Sequence, residues 1–127
     1  MDETAKHATV GRVLVRDLLK LCERLDTLAW EPLRPGVEVH WLHRDGSDGR
    51  RAALLRYAPG ASVPEHLHAG GEYIIVLSGS QRDESDTYPA GTVLFNAPGS
   101  RHSVTSDAGC VVLALWEKPV QFIAPPA

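Results

Sequence analysis

From Val37 onward, apolar residues alternate with polar ones in short runs, and a cluster of turn formers ends each run before it grows long. Val37, Val39 and Trp41 alternate against Glu38 and His40, the period of two that a strand with one buried face requires. Further runs follow at 51–58, 62–68, 72–77, 80–82, 92–96, 102–106 and 110–116. Between them stand Asp45-Gly46-Ser47-Asp48-Gly49, Pro59-Gly60, Ala69-Gly70-Gly71, 83–87, Pro98-Gly99-Ser100 and 107–109. These residue types supply turn conformations or local side-chain hydrogen bonds. No helical pattern separates the runs, which argues against alternating strands and helices and predicts an all-β fold, a small antiparallel sandwich or barrel.

Ahead of the strands, Val10, Val13, Leu14, Leu18, Leu21, Cys22 and Leu25 recur near helical spacing, predicting one amphipathic helix over 9–26. Arg12, Arg16, Lys20 and Arg24, spaced by four, read as its solvated face. Pro32, Pro35 and Gly36 stop it. The expected organisation is a frayed segment 1–8, the helix, a barrel over 27–120 and a loose tail 121–127. At 127 residues the chain fits one domain, and with 43% hydrophobic and 23% charged residues it can bury a core without disulfides or a stapling metal.

A net charge of −3 provides no basic field for nucleic acid. Cys22 and Cys110 form neither a CxxC pair nor a disulfide framework. No apolar stretch approaches a membrane span, and MDETAKHATV lacks the charged and apolar regions of a signal peptide. A soluble protein of the reducing cytoplasm is expected, with neither nucleic acid nor membrane as partner.

The stretch HLHAGGE, residues 66–72, holds the chemistry. On an extended strand His66 and His68 point to one side. Ala69-Gly70-Gly71 turns the chain tightly, and Glu72 returns on the next strand to face them. Imidazoles with a carboxylate suit a divalent transition metal such as zinc, iron, manganese, nickel or copper.

The spacing is specific. Gly60, five residues, His66-x-His68, three residues, Glu72, six residues and Gly79 match the first motif of the cupin family throughout. Its second motif is met at Gly91, Gly99 and His102, with Ala97 in place of a proline and Ser106 in place of an asparagine. Over about residues 35–118 the chain resembles the cupin domain of ChrR-type anti-sigma factors and their stand-alone relatives. The resemblance rests on Arg34-Pro35-Gly36-Val37-Glu38-Val39, Tyr57-Ala58-Pro59-Gly60-Ala61, Gly70-Gly71-Glu72, Asp83-Glu84, Tyr88-Pro89-Ala90-Gly91-Thr92 and Pro98-Gly99-Ser100-x-His102. It implies a jelly-roll-like barrel with one divalent metal in its mouth, zinc or iron first, manganese or nickel next. The implied ligands are His66, His68, Glu72 and His102. ChrR-type factors also carry a helical, zinc-holding domain that binds the sigma factor. His7 and Cys22 lack the spacing of its ligands, so the resemblance implies a sensing or ligand-binding barrel rather than sigma-factor inhibition.

Other residues have plain readings. Cys110 is expected to be an inert buried thiol, and His40 and His43 lack a third ligand. Tyr57, Tyr73 and Trp116 are expected in the core, with pocket lining as the alternative, and Glu65 on the surface. No separate acid or base accompanies the motif, so the catalytic residues stay unassigned. Three functions fit: a metal-dependent sensor or small-ligand binder, a mononuclear non-haem dioxygenase acting on a small diketone, phenol or thiol, and a structural-zinc module. The partners expected are a small molecule in the barrel mouth and a second copy of the chain, a homodimer formed in the third case through the N-terminal helix.

Overall fold

A computed structural model describes residues 12–123. Ten strands carry the fold: β1 (Glu31–Arg34), β2 (Val37–Arg44), β3 (Arg51–Tyr57), β4 (Ala61–Leu67), β5 (Glu72–Arg82), β6 (Thr87–Pro89), β7 (Val93–Asn96), β8 (Arg101–Ser106), β9 (Cys110–Trp116) and β10 (Gln121–Phe122). All their pairings are antiparallel. Neighbours run β1-β2-β3-β9-β5-β8-β4-β10, with β6 and β7 added against β5.

β5 joins the two parts of the curled sheet. Its first part, from Glu72, pairs with β7 and β9, whereas Ser80 to Arg82 pair with β6 and Arg82 reaches β8. The change of sheet follows a register shift between Val76 and Ser78 and falls at Gly79, whose φ is +71°. A Cβ at that position would run into the Gly109 carbonyl, so glycine meets both the backbone angle and the close approach. The runs expected at 72–77 and 80–82 are therefore one bent strand.

Alternation fills the interior. Ala53, Leu55 and Tyr57 of β3, Ile74 and Val76 of β5, and Val112 and Ala114 of β9 share one core with Val37 and Val39. His66, His68, Glu72 and Gln81 are also buried. Polar groups in an apolar barrel are costly unless partnered, which marks that region as a site.

The N-terminal expectation is corrected. Among the described residues of 9–26 the α-helix is a single turn, α1 (Leu18–Leu21), followed by a 3₁₀ turn at Leu25–Thr27. Positions 9–11, and the segment 1–8, lie outside the described residues. Val13 and Val15 are poor helix formers, Asp17 makes no capping bond to α1, and short helices depend on tertiary packing. Here packing favours an irregular path: Leu14, Val15, Leu21 and Leu28 gather beside Leu42 and Leu54 over the outer face of β2 and β3, while Leu19 is 95% exposed. The basic residues thus share no helical face.

The tail is corrected too. Gln121 and Phe122 pair with Leu67 and His66 of β4, and the Ile123 amide donates to the Glu65 carbonyl; residues 124–127 lie outside the description. No helix among the described residues is long and apolar enough to cross a membrane.

Candidate metal centre

β4 and β8 lie side by side with His66 directly opposite His102, so the strand register alone juxtaposes two imidazoles. His68 follows β4, where its backbone exchanges hydrogen bonds with Ser100 and Gly99. Ring centroids lie 5.0 Å apart for His66 and His68, and 4.7 Å from His102 to each of the other two. One ring nitrogen of each lies within 4.8 Å of the other two.

The outward hydrogen bonds decide which nitrogen. His66 Nδ1 lies 2.9 Å from the Pro64 carbonyl oxygen. His68 Nδ1 lies 3.1 Å from the Ser100 carbonyl and 2.9 Å from Ser100 Oγ, and the Ser100 hydroxyl proton is already given to the Ala97 carbonyl at 2.6 Å. His102 Nδ1 lies 3.2 Å from Asp83 Oδ2. All these partners are acceptors, so each Nδ1 donates and the neutral ring presents its Nε2 lone pair to the cluster.

His68 Nε2 is buried without a hydrogen-bond partner. What faces it, at 3.3 Å, is Glu72 Oε1, which accepts from Asn96 Nδ2 at 2.9 Å. A lone pair and a carboxylate oxygen held together in a buried site repel unless a cation or a proton lies against them. The residues therefore fit a divalent metal, both in donor type and in this uncompensated pair. Burial raises the Glu72 carboxyl, but with a proton between the pair the hydrogen bond and attraction from His68, with the Asn96 amide, outweigh it and leave the carboxyl below its ordinary range. Burial holds His66 below the usual imidazole value, aided by His102 and His68 and opposed by the Pro64 carbonyl and Glu72. Both shifts favour the forms that bind metal.

Asp83 organises the His102 side. In the turn after β5, its Oδ1 accepts from the Ser85 and Asp86 amides and from the Tyr88 hydroxyl. Burial opposes its ionisation, but these donors and His102 hold its carboxyl below the usual range. Burial and the Asp83 acceptor push the Tyr88 phenol up to about 12. Glu84 adds a clamp by accepting from the Ser103 amide and hydroxyl on β8.

Beside the imidazoles lies a cavity of about 80 Å³, whose lining includes Arg34, Tyr57, Gln81, Trp116 and Phe122. Tyr57 belongs to the core and Trp116 packs against it, as expected, and both also line this cavity; Tyr73, half exposed, is not in the core. His40 and His43 bond separately, to the Ala29 carbonyl and to Asp45. Glu65 is exposed. Cys110 is buried and burial raises its thiol, as suits an inert residue. The structure brings His66, His68 and His102 together, with Glu72 against His68. Asp83, Ser100, Asn96, Arg34 and Phe122 were given no role from sequence. The turn formers around Asp83 and Ser100 were a signal for loops but not for what those loops touch. Ser106, in the asparagine position, donates to the Ser80 carbonyl at 2.6 Å and so ties β8 to β5 instead of addressing the site.

Comparison with known proteins agrees with this architecture. Residues 20–120 match the family model described as the ChrR cupin-like domain. The chain is 33% identical over 102 residues to the anti-sigma-E factor ChrR of Cereibacter sphaeroides, covering 78% of this chain and 46% of ChrR; it thus spans about half that protein's length. The crystal structure of Rhodobacter sphaeroides SigE with the anti-sigma ChrR superposes with a TM-score of 0.68 at 26% identity, covering 91% of this chain and 67% of that one. An acetylacetone dioxygenase from Acinetobacter johnsonii shares the fold, with a TM-score of 0.69 at 19% identity over 75% of this chain and 72% of its own. The strand order, the matched residues and the identity to ChrR lead to one conclusion: the chain belongs to the ChrR cupin-like domain family.

Proposed function

We propose that the protein binds one divalent transition metal through His66, His68 and His102, with Glu72 as the fourth ligand, and works as a small-ligand binder or sensor. One observation carries the metal reading: the buried Nε2 of His68 faces the Glu72 carboxylate at 3.3 Å with no hydrogen-bond partner. A bound divalent ion would supply Lewis acidity and, for six-coordinate metals, positions open to a small donor. The protein's part is to hold the three rings in one tautomer through Pro64, Ser100 and Asp83, and to wall the site with apolar strands. Zinc or iron is the leading choice, with manganese or nickel next; cytoplasmic residence fits the reduced cysteines such a role allows.

Elemental analysis of untagged protein tests this. Near-stoichiometric metal is expected in the wild type, and its loss in His68→Ala and His102→Ala variants whose circular dichroism stays native. Full occupancy in both variants, or a wild type that refuses added metal, would overturn the assignment.

The dioxygenase reading draws support from the cavity beside His66 and His102, yet about 80 Å³ is far below the roughly 300–1,000 Å³ of ordinary substrate pockets. That size favours a small ligand over turnover of a diketone or phenol. Oxygen uptake by the iron-loaded protein with a panel of diketones, phenols and thiols separates the two, since sustained consumption would reverse the order. A structural-zinc module dimerising through its N-terminal helix draws little support from the single α-helical turn among the described residues.

A further inference from the structure

The cavity has a cationic lip that the metal site does not use. Arg34 ends β1 just past the register shift between Pro32 and Arg34, and its side chain lines the same cavity as His66, Glu72 and His102. Its guanidinium carbon lies 4.3 Å over the Phe122 ring, and that ring lies 5.9 Å from the His66 imidazole. β10 pairs Phe122 with His66, so one short strand sets the aromatic ring against both the arginine and the imidazole. Arg56 and Arg82 each hold a carboxylate. Arg34 has no ion pair or side-chain hydrogen bond with any described residue, and its fork of donors stays available at the mouth.

We propose that this cavity takes a small carboxylate, with one oxygen at the metal and the other met by the Arg34 guanidinium. The proposal rests on the metal reading above. Charge selects the class: a divalent ion with Glu72, Asp83 behind His102 and Arg34 leaves one positive charge among neutral imidazoles, and a monoanion cancels it inside walls formed by Leu55, Val63 and Ile74. Donor chemistry selects the carboxylate, because one oxygen can ligate while the second accepts a charge-assisted hydrogen bond from a guanidinium N–H. Size favours a compact acid over an aromatic one: about 80 Å³ is far below the roughly 300–1,000 Å³ of ordinary ligand pockets.

The test is a titration of the cobalt(II)-loaded protein with acetate, glycolate, benzoate and acetamide, followed by the visible absorption of the metal. Acetate and glycolate should change the spectrum saturably, and acetamide and benzoate should not. Arg34→Gln should weaken the acetate response by roughly tenfold or more with cobalt content unchanged. Arg34→Lys keeps the charge without the fork and should fall between; it also serves if the glutamine variant does not fold. Failure to take up cobalt would defeat the metal reading itself. Cobalt uptake with a spectrum indifferent to acetate, an equal response in wild type and variants, or binding of benzoate as tight as acetate would overturn the carboxylate proposal and leave the metal reading standing.

Discussion

Replacing Asp83 by asparagine should loosen the metal without dismantling the barrel. Asp83 Oδ2 lies 3.2 Å from His102 Nδ1, while Oδ1 serves the Ser85 amide, the Asp86 amide and the Tyr88 hydroxyl. In the asparagine variant the amide oxygen can keep those three donors, which places its NH₂ against His102 Nδ1. A donor there opposes a donor. The ring must then lose its contact or move its proton to Nε2, the atom the metal requires. Loss of a carboxylate that orients a ligating imidazole typically costs 10- to 100-fold in metal affinity. The turn loses a charged acceptor, at about 1–3 kcal/mol. Competition against a chromophoric chelator measures the first effect and urea unfolding of the metal-free protein the second. An affinity within twofold of wild type, with native circular dichroism, would refute the claim that Asp83 sets the His102 tautomer.

Three further outcomes are expected. With free metal a thousandfold above its Kd, the wild type should gain about 4 kcal/mol, read as a chelator-reversible rise in melting temperature that His68→Ala lacks; an equal rise in that variant would place the metal elsewhere. In chelator, the unfolded chain protonates His66 near 6.5 while burial keeps the folded group lower, so the unfolded state binds more protons and stability should fall as pH drops below about 6.5. Urea midpoints from pH 8 to 5 should show this decline, and a His66→Gln variant with the same decline would assign it to other groups. We propose that a homodimer forms through the outer face of β5, β7 and β9, where register aligns Tyr73 with Phe95 and Leu115 and all three are exposed. Phe95→Glu should give a monomer by sedimentation, and a monomeric wild type would remove the dimer.

The β-rich fold and the shared side of His66 and His68 were legible because each depends on local geometry. A period of two needs nothing beyond the strand, and it put His66 and His68 on one side before any contact was known. Gly79 carried its meaning through spacing, and its positive φ fits the bend a glycine permits. Period misled at the N-terminus, where Leu14, Leu18 and Leu21 suit a helix but the outer face of β2 and β3 took the segment in another conformation. β1 and β10 gave no signal: β1 contains Pro32 and β10 is two residues long, too short for alternation to show.

The sequence by itself therefore determined which donors exist and on which faces of their strands they stand, since strand geometry acts between near neighbours. Only the tertiary structure decided how they are used. Asp83 meets His102 across 19 positions and Ser100 meets His68 across 32, while Arg34 and Phe122 join from the first and last strands. Those meetings depend on how β4 packs against β8 and β10 and on where the turn after β5 lands. The tautomers, the uncompensated Glu72 contact and the cationic mouth follow from that packing, because hydrogen bonds and charges act through space rather than along the chain.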